Sequence, residues 1–134
     1  MKEYEDKIDV VELIEWADKN IPIFGRNNLK FTYHGVYNLL QHPHKAIRWL
    51  TILNAPNKFM PIIEHHYYKE KKDVVRGAIA KRTKNIKLLR HIMKNEKNDK
   101  IKRMVMSKYS HLLAKRIKLN GGKNEKSDNV NSIN

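Results

Sequence analysis

The sequence predicts an all-α chain of stacked two-helix units, with an acidic capping helix before them and a disordered tail after them. Three observations carry this. Apolar residues recur at helical spacing in short runs, punctuated by Pro and Asn turns. Arg48, Arg76 and Arg103 recur with similar neighbours at spacings of 28 and 27 residues. A period of that size marks helix pairs that cannot bury their apolar faces alone and so stack. The charge is also segregated: Lys69–Lys118 holds 18 Lys+Arg against 4 Asp+Glu, a net +14 that equals the formal charge of the whole chain.

At 134 residues the chain has the length of one domain. Residues 1–119 are expected to form it, with 1–31 as the acidic cap, 32–119 as the repeats and 120–134 as the tail. With 40% hydrophobic and 31% charged residues, the composition is that of a globular domain. The absence of cysteine excludes disulfides, thiolate metal sites and cysteine nucleophiles. It fits a reducing compartment, read as cytoplasmic, since Met1–Asp6 is acidic and has no signal-peptide core. No apolar run approaches the roughly 18–20 residues that cross a bilayer, so no membrane partner is expected.

The first helix is expected over Ile8–Lys19, with Asp6 or Asp9 as N-cap. Pro22 and Gly25 end it, and Ile21, Ile23 and Phe24 fold back on the core. A second helix begins after Thr32 and runs through Val36, Leu39 and Leu40 until His42-Pro43-His44 breaks it. Three pairs then follow. Lys45–Leu53 pairs with Lys58–Lys69, Asp73–Arg82 with Asn85–Asn95, and Lys100–Tyr109 with His111–Leu119. In register, Ala46, Val74 and Ile101 align, as do Leu50, Ala78 and Val105. Asn57, Asn85 and Ser110 are N-cap candidates, and Gly121 is the expected stop of the last helix.

Leu39–Arg48 and Lys72–Ala80, with Leu88-Leu89 and Leu112-Leu113 as second elements, resemble short HEAT-like repeats of the leucine-rich-variant type. The resemblance covers about residues 36–118. It implies a right-handed α-solenoid with a concave face that serves as a protein-binding scaffold or, in relatives of the alkylpurine-glycosylase kind, grips DNA. The aspartate usual in the inter-repeat turn is replaced here by His42 and by Lys71-Lys72.

A net charge of +14 and a pI near 10 favour a polyanionic partner. In the Asn85–Asn95 helix, Ile86, Leu89, Ile92 and Met93 form an apolar face, opposite Lys87, Arg90, His91 and Lys94. His111, Lys115 and Lys118 repeat the arrangement beside Leu112, Leu113 and Ile117. Lys81, Arg82 and Lys84 fall in the turn between helices. The candidate phosphate-binding set is therefore Lys81, Arg82, Lys84, Lys87, Arg90, Lys94, Lys115 and Lys118, because each cation placed on a phosphate releases condensed counterions. The recurring Arg48, Arg76 and Arg103 are expected to bond turn carbonyls or bridge units instead. Among His65-His66-Tyr67-Tyr68, one or two rings can share a surface and stack on bases, while His66 or Tyr67 packs inward.

The histidines lack the convergent spacing of a metal site, and no nucleophile elbow or phosphate loop occurs. The chain is thus read as a non-catalytic binder of DNA or RNA, with neither metal nor cofactor. An adaptor for an acidic protein is the alternative, and a DNA-repair glycosylase the minor one.

Overall fold

The computed structural model describes residues 9–22 and 27–124, with side chains through Lys118. Among them are seven α-helices, one 3-10 turn and no strand. The chain divides into two compact units, Met1–Thr83 and Lys84–Asn134. The expected positions of Asp6, Ile8, Ile23, Phe24 and Gly25, and the tail from residue 125, lie outside the described residues.

The first unit opens with α1, Val10–Asn20, whose N-cap position is Asp9. Its inner side places Ala17 and then Ile21 against Ile47, with Leu13, Trp16, Phe31, Leu39 and Leu50 around them. Helix α2, Tyr33–Leu40, starts where it does because the Thr32 hydroxyl accepts the Gly35 N–H at 2.9 Å. Helix α3, Lys45–Asn54, is capped less conventionally. The His44 Nδ1 accepts the Ala46 N–H at 3.0 Å, and the His42 Nδ1 accepts the His44 N–H at 2.9 Å. The two imidazoles do here what Ser or Asp does elsewhere.

After the 3-10 turn Asn57–Phe59 comes α4, Met60–His66, with Pro61 in its first turn where a missing N–H is harmless. Helix α5 spans Asp73–Arg82, as its sequence pattern predicts. Helix α3 packs against α2 and α5, and α2 packs against α4. Val36 and Leu40, Ile47 and Thr51, Ile63 and Tyr67, Val75 and Ile79 are each buried pairs four residues apart. That spacing gives every helix one inward stripe. Fully burying such an aliphatic side chain contributes roughly 1.5–3 kcal/mol.

A polar knot ties this unit together. The Glu70 carboxylate, 1% exposed, receives the Arg48 Nε and Nη2 at 2.9 Å each. It also receives His66 Nε2 at 2.6 Å and the Lys72 N–H at 3.1 Å. Arg48 Nη1 donates on to the His42 and Pro43 carbonyls at 2.8 and 3.0 Å. Arg76 donates to the Glu70 carbonyl at 3.3 Å and pairs with Asp73. Both arginines bond turn carbonyls, as expected of them, whereas Arg103 is exposed.

The second unit holds α6, Ile86–Asn95, and α7, Asp99–Asn124, packed against each other. Asn85 caps α6 by accepting the Leu88 N–H at 3.2 Å. The Asn98 Oδ1 accepts the Ile101 N–H at 3.1 Å at the start of α7. Two expectations are corrected here. The third helix pair is one continuous helix of 26 residues, without a turn at Ser110 or a stop at Gly121. No proline interrupts Asp99–Asn120, and a glycine near a helix end costs only about 1 kcal/mol.

The repeat register also slips by one residue in the last unit. Helix starts at Lys45, Asp73 and Asp99 align Ile47, Val75 and Ile101, and then Thr51, Ile79 and Val105, all buried. In that register Lys102, not Arg103, matches Arg48 and Arg76, and all three are half-buried. The arginine identity misled, because the connection before α7 is shorter than the one before α5.

Candidate nucleic-acid interface

The eight candidate cations divide between the units. Lys81 and Arg82 end α5 in the first unit, in its last helical turn rather than in a loop. Lys81 is exposed. Arg82 is committed to structure: Nη1 donates to the Ile52 carbonyl at 2.6 Å and Nη2 to Asn57 Oδ1 at 2.9 Å. It thereby closes the C-terminal end of α3, and burial lowers its pKa. The turn residue Thr83 is buried and donates its hydroxyl to Glu64 at 2.6 Å. Of this expected trio, only Lys84 lies in the inter-helix connection, and it belongs to the second unit.

On α6, Leu88, Leu89 and Ile92 are buried while Lys87, Arg90 and Lys94 are exposed. The predicted apolar face is thus extended toward Leu88, with Ile92 and Leu89 at its centre and Ile86 and Met93 on one half-buried margin. Arg90 is not an independent cation. Its Nε donates to the Tyr109 hydroxyl of α7 at 3.0 Å, and its guanidinium lies 6.0 Å from the Tyr109 ring centre. The contact leaves Arg90 exposed but pre-positioned, which reduces the rotamer entropy it would lose on meeting a phosphate.

The same contact sets the register of the hairpin. Counting about 1.5 Å per residue in both directions from it, α7 outruns the start of α6 after about Leu113. Every residue from Ala114 to Lys118 is exposed, Ile117 by 66%. Lys115 and Lys118 therefore stand on an overhanging helical stretch instead of forming a second row beside Lys87 and Lys94.

Lys108 is a residue that spacing alone does not single out. It is half-buried, and burial together with the charge of Lys84 pushes its pKa down to about 8. Burial is the larger cause, and the smaller one, repulsion from Lys84, is what a nearby polyanion would relieve. Opposing acids are few. Between Lys84 and Lys118 there are 12 Lys+Arg and 2 Asp+Glu. One of the two, Glu96, is buried and accepts the Asn98 N–H at 3.0 Å.

In the aromatic run, His66 and Tyr67 are buried while His65 and Tyr68 are exposed, their rings 6.4 Å apart. Among the described residues, no group of three or more His, Asp or Glu could hold a metal ion, and no helix is long and apolar enough to cross a membrane. Comparisons with protein-family models, curated proteins and solved structures return no match.

Proposed function

We propose that this protein is a non-catalytic nucleic-acid binder. In this reading it is a short right-handed stack of HEAT-like helix pairs with α1 as an N-terminal cap, and the α6–α7 hairpin contacts the phosphate backbone. The observation that carries it is the charge imbalance of the hairpin: Lys87, Arg90 and Lys94 exposed on α6, Lys115 and Lys118 exposed on α7, and one of only two acids buried. Phosphate contacts of this kind position a backbone without reading its sequence.

The test is fluorescence anisotropy on a labelled duplex across a salt series. Five phosphate contacts predict a slope of log affinity against log salt of roughly −4 to −5. Replacing Lys87 and Lys94 together with Ala should flatten that slope by about 2 and leave the helical circular dichroism intact. Arg90 is spared in this variant because its Tyr109 bond helps hold the hairpin. An affinity that does not fall with salt sinks the reading. Capture of an acidic protein that survives nuclease treatment, with no such affinity, would replace it by an adaptor function.

A further inference from the structure

Between α2 and α4 of the first unit lies a cavity of about 310 Å3. Small-molecule pockets occupy roughly 300–1,000 Å3 and are mostly apolar with a few placed polar groups. Leu40, Pro61 and Ile62 supply its apolar wall, and the exposed rings of Tyr37 and His65 border it. Its polar groups include Gln41 and Lys69. The Gln41 side-chain amide has no partner among the described residues, so both its donor and its acceptor remain available.

A second cavity, of about 290 Å3, shares Leu40, Gln41, His66 and Lys69 with the first. Arg48, Lys71 and Lys72 extend its wall. The carboxylates nearby are already engaged. Glu70 is held by Arg48 and His66, Glu64 by Thr83, and Asp73 by Arg76. Of the cations lining this cleft, Lys69 and Lys71 are exposed.

An aromatic-edged apolar slot, an amide able to donate and accept, and an adjoining cationic cleft match the parts of one nucleotide. Base faces stack on aromatic rings, base edges hydrogen-bond to amides, and phosphate seeks the cations. We infer that the α2–α4 cavity holds an unstacked nucleobase, its edge at Gln41 and its phosphate over Lys69 and Lys71. This deepens the nucleic-acid reading, on which it rests, yet uses residues of the other unit. The base can come from a free mononucleotide or from an unpaired position of a single strand, whereas a fully paired duplex offers none.

The test compares two labelled single strands of equal length, oligodeoxyadenylate and its abasic counterpart, at one salt concentration. The full-length protein is expected to bind the base-bearing strand roughly tenfold more tightly, the scale of one stacked base. Tyr37→Ala and, separately, Gln41→Ala should shrink that preference while leaving affinity for the abasic strand unchanged. Both positions are exposed, so neither variant removes core. Deoxyadenosine monophosphate that competes away the preference assigns the site to free nucleotide as well. A preference that resists it assigns the site to the strand. Equal affinity of the unaltered protein for both strands, or a full preference in both variants, overturns the cavity assignment. In the first case, a salt slope on the abasic strand leaves the α6–α7 reading standing. Conversely, a base preference that persists with no loss on replacing Lys87 and Lys94 keeps the cavity and removes the hairpin from the interface.

Discussion

Glu70 sits between Lys69 and Lys71 in the sequence, where a carboxylate looks like one more solvated charge, yet it is the most enclosed acid among the described residues of the first unit. Burial opposes its ionisation, but hydrogen bonds from His66, Arg48 and the Lys72 N–H prevail and hold its carboxyl at about 2, below the usual 4.5. A folded-state pKa held below the unfolded value confers stability that is complete above the unfolded value and lost as pH falls through the folded one. For Glu70 that window runs from 4.5 down to about 2. Its contribution at neutral pH is on the order of 3 kcal/mol. His42 adds a second window. Burial first, then the charges of His44 and Arg48, lower its pKa below 6.5. Stability is therefore also lost as pH drops beneath 6.5, where the folded state resists the proton the unfolded chain accepts. Urea denaturation followed from pH 7.5 to pH 2.5 is expected to fall in these two stages, and Glu70→Gln should remove most of the lower one. A stability that stays flat between pH 4.5 and 2.5 would contradict the role given to Glu70. The arginine half of the knot was legible from recurrence, since Arg48 and Arg76 stand at matching helix positions near turn carbonyls. The acid half was not, because its partners come from α3, from α4 and from the backbone of the following turn.

At the scale of helices, boundaries set by strong local chemistry were readable. Thr32, Asn85, the His42-Pro43-His44 break and the span Asp73–Arg82 all fall where their residue types demand. The turn expected at Ser110 is absent: serine is an excellent N-cap in the right backbone, but nothing local announces that the backbone here is helical on both sides. Helix α7 continues because each residue through that point forms helix at little cost, and no proline forces a break. Ser110→Pro discriminates between the two architectures. In a turn or at a first helical position proline is tolerated, but inside a continuous helix it removes a hydrogen bond and clashes with the preceding turn, costing about 3 kcal/mol or more. A marked loss of helical circular dichroism and of urea stability is expected. A variant as stable as the parent would restore the two-helix reading of this segment.

Across the whole molecule, the second unit carries 14 Lys+Arg against 4 Asp+Glu in 51 residues, a net +10, which leaves +4 for the 83 residues before it. Helicity and this polarity were both legible, since apolar spacing and charge are properties of the linear chain. The cavity was not, because Tyr37, Gln41 and His65 meet only through the packing of α2 on α4. Nor was the overhang of α7, which depends on how far α6 reaches. That overhang has a consequence in time as well as in space. Ala114–Lys118 lacks a packed face, and Lys115 and Lys118 repel across one helical turn. Isolated helical segments this short are marginal in water. The amides of this stretch should accordingly open and exchange with solvent far faster than those around buried Ile101 and Val105. A bound polyanion turns the repulsion into attraction, and slower exchange confined to this end is the expected signature. Exchange unchanged at saturating duplex would detach the overhang from binding. If the signature is present, the last turns of α7 are where the protein completes its own folding, at the moment and in the place that its partner arrives.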